Sequence, residues 1–270
     1  MTHRRISNIL RKEWQVMSHD INSLLFVTLL PLLIVGQAIL LIWLVDRFGG
    51  EAILASTMLQ TALEKLRQAL PAVVELPVGE QFQVFLLSQF NFYLLLIPTM
   101  IAISFATFSI VEEKLSRSLE ALLATPVRTW ELLLGKTLSG AVAALVITWV
   151  CAGIFILGIV GLGWGQLVGL VLTSSWFISL FLLTPAVAVL SFMLGIIGSS
   201  RAKDARSAAN IAVVIVLPVL ALIGLQVTGL VWFTPLATLA LALGIAVLDI
   251  FMLRIAVGLF QRESIVLKWH

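Results

Sequence analysis

The sequence predicts an all-α polytopic membrane protein, and three observations carry that prediction. Apolar residues make up 60% of the 270 and charged residues 11%, against about 25% charged in soluble domains. The mean hydropathy is +1.10. Charge is also segregated: Gln81–Val111 and Thr137–Ser200 contain none, and between them lies a charged block, Glu112–Lys136. Transmembrane β-barrels read as short alternating segments, whereas these apolar runs are continuous.

A bilayer core about 30 Å thick takes roughly 20 apolar residues per helix. Six spans fit, at 24–45, 90–111, 138–160, 167–198, 211–232 and 236–258. The uncharged run after the block is divided at Gly161–Gly165, which favours two helices within it. Pro185 falls inside the fourth span and is expected to kink it rather than end it.

Six spans place 14 of the 17 Lys and Arg on one side, leaving Arg47, Lys65 and Arg67 opposite. The positive-inside rule then predicts an inner-membrane protein with both termini in the cytoplasm. A pI near 9.4 therefore marks the cytoplasmic face and not a nucleic-acid partner. Trp43, Trp164 and Trp232 fall at expected outer ends, as an aromatic belt would. The first apolar run is too long for a signal peptide and no small-residue cleavage pattern follows it.

Residues 4–21 predict a helix lying in the membrane interface, with Ile6, Leu10, Trp14, Met17 and Ile21 on one face and Arg4, Arg11 and Lys12 among the polar residues opposite. Glu13 breaks the pattern on the apolar side, either to reach a protein partner or to snorkel. The external loop, 46–80, has helical apolar spacing at Leu54, Met58, Ala62 and Leu66, then Pro71, Pro77 and Gly79. A short helix resting on the outer surface is expected, as a structural cap or a lid.

The chain lacks the residues for several chemistries. His3, His19 and His270 lie outside the spans and Cys151 is the single cysteine, so no metal cluster or internal disulfide is expected. Glu112-Glu113 with Arg117 matches the EExxxR of membrane-embedded CAAX-type proteases, but the histidines those enzymes need on later helices are missing. Gly135-Lys136-Thr137 ends like a P-loop, yet Trp130 stands where the first glycine belongs. Asp249, with Arg254 nearby, is the main charge inside a span, and an intramembrane carboxylate is a candidate proton relay or an interface group.

The charged block has internal order. Leu115, Leu119, Leu122 and Leu123 alternate with charged positions as on a short helix. Thr125-Pro126 ends it, because the residue before proline avoids the helical region. Trp130 marks the membrane interface. Such a segment suits docking onto a cytoplasmic partner, or serves as a solvated connector.

The run Glu112…Leu119-Glu120-Ala-Leu-Leu-Ala-Thr-Pro126 followed by Trp130-Glu131-Leu-Leu-Leu-Gly135-Lys136 resembles the signature of ABC-2-type transporter permeases, the membrane subunits of ATP-binding cassette exporters. Arg117 stands where that signature has glycine. Further similarity lies at Ser199–Ala208 ahead of Pro218, and at Phe260–Glu263. Arg11-Lys12-Glu13, beside Trp14, is similar to the family's interfacial elbow helix.

The resemblance implies a coupling helix between spans two and three, formed by Glu112, Glu113, Arg117, Leu119, Glu120, Leu122, Leu123, Thr125 and Pro126, seated in a groove of a separate P-loop ATPase subunit. Leucines would anchor it and Glu113, Arg117 and Glu120 would pair with the partner. It implies no cofactor and no catalytic site in this chain, with ATP and Mg²⁺ held by the partner ATPase. It also implies a second permease, identical or homologous, with a pathway at the interface lined by spans two and five. Phe90, Phe92, Tyr93, Phe105 and Phe108 are then either pathway-lining or packed against lipid. The expected function is export of a hydrophobic small molecule, natural product or lipid. The alternatives are an ATP-independent carrier or channel using Asp249, and a membrane anchor without transport.

Overall fold

The computed structural model describes residues 7, 9–12, 14–15, 21–48, 57–115, 129–201, 205–228 and 231–259. These residues are helical or in short connections, with no strand among them. Among the described residues, the helices with defined bounds are, in order, α1 (Ile21–Phe48), α2 (Thr57–Ala69), α3 (Val78–Tyr93), α4 (Leu96–Leu115), α5 (Thr129–Gly161), α6 (Val168–Val171), α7 (Ser174–Ile178), α8 (Thr184–Arg201), α9 (Ala205–Val227) and α10 (Pro235–Leu259). Among the described residues, five segments are long and apolar enough to cross a membrane: Val27–Val45, Val78–Ala106, Trp130–Gly161, Ser174–Ser199 and Pro235–Gly258. The fifth expected span, 211–232, corresponds to α9, a 23-residue helix whose apolar stretch among the described residues is Val214–Val227.

The second apolar segment departs from expectation. Helix begins at Val78, twelve residues before Phe90, so residues 78–80 leave the expected external loop. Glu80, Gln81, Gln83 and Gln89 made this stretch look like loop. The structure satisfies Gln81 in place: Arg67 Nε donates to Gln81 Oε1 at 2.8 Å, and Gln81 Nε2 donates to the Leu76 carbonyl at 2.8 Å. The 29-residue segment Val78–Ala106 is about 43 Å long at the α-helical rise, so its polar first turn extends past a 30 Å core.

Pro98 explains why this segment is two helices. It has no N–H to give to the Leu94 carbonyl, and its ring crowds that carbonyl. Ile97 N–H bonds Leu94 O instead, at 3.2 Å, and the Thr99 hydroxyl donates to Leu95 O at 2.7 Å. The chain breaks at residues 94–95, where Leu94 N–H bonds Phe90 O at 2.9 Å and Leu95 N–H bonds Phe92 O at 3.0 Å.

The segment after α5 is also more broken than a single span from 167 would be. Gly163, at φ +87°, closes α5 in a Schellman arrangement: Trp164 N–H bonds Ile159 O at 3.0 Å and Gly163 N–H bonds Val160 O at 3.1 Å. A 3₁₀ turn, Gly165–Leu167, and α6 follow. The membrane-length rod starts only at Ser174. It runs through Pro185, with a π-helical turn at Ser179–Leu183 just before.

The segment Val78–Ala106 is the most buried of the long helices, and α1 and α10 are the most exposed. Leu25, Leu29 and Leu33 of α1 and Leu236, Val247 and Phe251 of α10 present bare apolar side chains, which suits contact with lipid. Hydrophobic burial does not hold helices together in lipid, so close packing must. Small residues permit it. A methyl on Gly195 would lie 2.6 Å from Ala106 Cβ, and one on Gly140 would overlap the Phe192 ring.

The expected surface helix exists as α2, which buries Leu59, Ala62, Leu63 and Leu66 against the bundle. The aromatic-belt expectation needs correction. Trp43 is exposed, but Trp164 is buried in the main core cluster and Trp232 stacks on Phe85 at 6.4 Å. Trp164 is drawn inward because the glycine turn folds the chain back over the end of α5.

Candidate functional site

The charged segment connects α4 to α5 in the chain. Glu112 and Glu113 fall in the final turns of α4, and Arg117, Leu119, Glu120, Leu122, Leu123, Thr125 and Pro126 lie outside the described residues. The far edge of the segment is clear. Helix α5 has 33 residues, about 50 Å at the α-helical rise, so its first turns project beyond a bilayer core. Glu131 and Lys136, in those turns, are both buried. Thr137 ties this foot to α8, its hydroxyl donating to Leu133 O at 2.7 Å and lying 3.9 Å from Met193 Sδ.

The N-terminal segment meets the same foot. Arg11, Lys12 and Trp14 are helical and Glu13 lies outside the described residues. Trp14 Nε1 donates to the Ser139 carbonyl at 3.2 Å, and Ile9 lies over Gly135, where an added methyl would sit 3.0 Å from its Cγ2. Ile9 and Trp14 thus both contact the foot of α5, at Gly135 and Ser139.

The aromatic residues proposed for a pathway separate into distinct surroundings. Phe90 is buried and stacks on Phe155 of α5 with ring centroids 3.6 Å apart. Tyr93 is half-buried, 6.0 Å from Phe90. Phe92 is buried and stacks on Phe233 at 4.6 Å. Phe105 is half-buried and touches two core clusters. Phe108 lies on α4 with its side chain outside the described set.

Phe92 borders a cavity of about 460 Å³ at the end of the bundle opposite the charged segment. That volume lies within the range of roughly 300–1,000 Å³ typical of small-molecule sites. Its wall joins the last residues of α2, the α3 face with Ser88 and Asn91, the turn between α6 and α7, and the connection from α9 to α10. The Ser175 hydroxyl pins α7 to that connection, 3.1 Å from Phe233 O and 2.8 Å from Thr238 Oγ1. Trp176 Nε1 and Gln226 Oε1 are buried without a hydrogen-bond partner. Sequence reasoning passed over Asn91, Trp176 and Gln226. Asn91 and Gln226 are amides inside apolar runs, a legible sign, but Trp176 in a serine-containing turn gives none.

Asp249 lies on the inward face of α10 with Ala242, Ile245, Met252 and Ala256, and its Oδ1 has no hydrogen-bond partner. No group of three or more metal-binding side chains occurs among the described residues.

A family model described as "ABC-2 family transporter protein" matches residues 44–255. The chain therefore belongs to the ABC-2 transporter family and is a multi-pass membrane protein of its permease type. Membership implies partnership with an ABC ATPase. No curated protein matches the chain.

Proposed function

We propose that this chain is the membrane subunit of an ATP-driven exporter, taking a hydrophobic small molecule, natural product or lipid across the cytoplasmic membrane. The carrying observation is that the family match over 44–255 encloses the charged segment 112–136. The segment's motif joins α4, which packs heavily on α8, to α5. A docked ATPase pushing on this segment moves both helices at once. The segment works as coupling helix, with Glu112, Glu113, Arg117 and Glu120 as polar contacts, Leu119, Leu122 and Leu123 as anchors, and Thr125-Pro126 as its stop.

ATP and Mg²⁺ bind the partner subunit, and ATP must favour one arrangement of the permease over the other for the spans to move. Two permease copies, or this chain and a homologue, complete the assembly. The asymmetry of Lys and Arg, 14 of 17 on one side of a six-span topology, supports cytoplasmic termini and six spans with α9 as the fifth. Residues 9–15 act as the elbow against α5.

The test is co-expression with a cognate ATPase, mild-detergent purification and ATP hydrolysis. A stoichiometric ATPase that is lost when Leu122→Asp is introduced supports the reading. Glu120→Ala is expected to leave the bundle folded and to lower substrate-stimulated hydrolysis. A chain that purifies alone, without hydrolysis, overturns it.

The unpaired Asp249 Oδ1 favours one second reading, an ATP-independent carrier in which this carboxylate relays protons. That reading requires activity without any ATPase.

A further inference from the structure

We propose that the cavity bounded by Asn91, Phe92, Trp176, Gln226 and Phe233 binds an uncharged amphiphile, a molecule with an apolar body and a hydroxyl or amide head. Three features of the wall select that chemistry.

First, no charged side chain lines the cavity among the described residues. An ion entering it would give up hydration without a countercharge, which is heavily disfavoured. Second, the wall holds two orphaned polar atoms of opposite sense, the donor Trp176 Nε1 and the acceptor Gln226 Oε1. The two residues are 3% and 4% exposed. Each orphan is a standing cost that a partner removes. A hydroxyl both donates and accepts, so it suits either atom. Asn91 and Ser88 extend the polar side. Third, Phe92, Trp232 and Phe233 supply an aromatic side, and the Phe92–Phe233 stack and Ser175 bonds hold the wall in place. A preformed wall avoids ordering costs on binding.

Occupancy of the cavity stands independently of the exporter reading; only its use as a station for exported substrate rests on that reading. A lipid with an uncharged head and a compact hydroxylated solute offer the same chemistry.

The full chain in lipid nanodiscs, without ATP or ATPase, is photolysed with a radiolabelled diazirine-bearing 1-monoacylglycerol and the labelled peptides are mapped. Label is expected to concentrate on 171–176 and 232–235. It is expected to be displaced by unlabelled monoolein, but not by oleate or oleylamine. A steroid diol that also displaces it identifies compact solutes as occupants, and displacement by monoolein alone identifies lipid. Trp176→Phe and Gln226→Leu each lose one neutral hydrogen bond and are expected to weaken labelling about fivefold. Ser88→Phe, which fills the space, is expected to abolish it. Thermal unfolding of each variant verifies that it is folded.

Label spread evenly over the lipid-facing helices overturns the proposal. So does equal displacement by oleate, or labelling unaffected by all three substitutions, which would mean that the orphan atoms face water alone. Cavity labelling that persists when no ATPase co-purifies leaves the site standing and removes the exporter reading.

Discussion

The indole of Trp149 donates to the backbone carbonyl of Leu180 at 3.3 Å, and that carbonyl is free because the π turn takes Thr184 N–H to Ser179 O and the next residue, Pro185, has no N–H to give. In an α-helix, Leu180 O would accept from Thr184 N–H. In the π-helical turn, Thr184 N–H reaches back to Ser179 O, and the Thr184 hydroxyl joins it at 2.8 Å. Trp149, from α5, takes the carbonyl left over, and its ring also lies against Phe181 at 5.7 Å. A local winding defect thus becomes a contact between two spans.

Replacing Trp149 with Phe keeps much of that ring contact and removes the donor. The expected loss is about 0.6–1.7 kcal/mol, the range for hydrogen bonds between membrane helices, read as a lower unfolding midpoint in nanodiscs. Thr184→Val is expected to relax the π turn toward α-helix. Because both changes act on one carbonyl arrangement, their double variant should be less destabilised than the sum of the singles. Strict additivity would separate the indole bond from the winding.

Pro98→Ala restores an N–H for the Leu94 carbonyl and removes the ring that crowds it. The two helices α3 and α4 are then expected to straighten, lengthening the distance between spin labels at positions 78 and 104. An unchanged distance would assign the bend to packing by neighbouring helices and not to proline.

Glycine positions in the same protein should respond in opposite ways. Gly195→Ala puts a methyl 2.6 Å from Ala106 Cβ, which no rotamer can move away. The helices must separate, at about 1–3 kcal/mol as for other overpacked cores. Gly153 has nothing within 4 Å of an added methyl, so Gly153→Ala is expected to be neutral or to stabilise α5 by up to about 1 kcal/mol through helix propensity. Unfolding midpoints measured side by side test the contrast, and equal effects would refute it.

Asp249→Asn separates the two transport readings. The side chain keeps its size and loses only its ability to ionise. ATP-dependent export measured in vesicles with the ATPase present is expected to survive this change. Loss of transport with the ATPase still bound would falsify the exporter mechanism as proposed and move the function to the carboxylate.

The all-helical membrane class was legible because it depends on sums over long windows. The two charge-free runs, the clustering of Lys and Arg, and the glycine break at Gly161–Gly165 each survive error at single positions. The family was legible in one block, Glu112–Lys136, since the motif that carries the resemblance is contiguous in sequence. Helix limits were less so. Hydropathy stops at polar residues, and it cannot see that Arg67 pairs with Gln81 from fourteen residues away.

By itself, then, the sequence determined that the chain is an all-helical, multi-pass membrane protein and which transporter family it belongs to, because solvation and local motif chemistry act residue by residue. Tertiary structure decided the rest. It placed Phe90 against Phe155 and Phe92 against Phe233, turned Trp164 inward, and gathered Asn91, Trp176 and Gln226 around one cavity. Those residues stand 85 and 50 positions apart along the chain. Their meeting depends on how kinked helices pack, which is a property of the assembled bundle and of no local stretch of sequence.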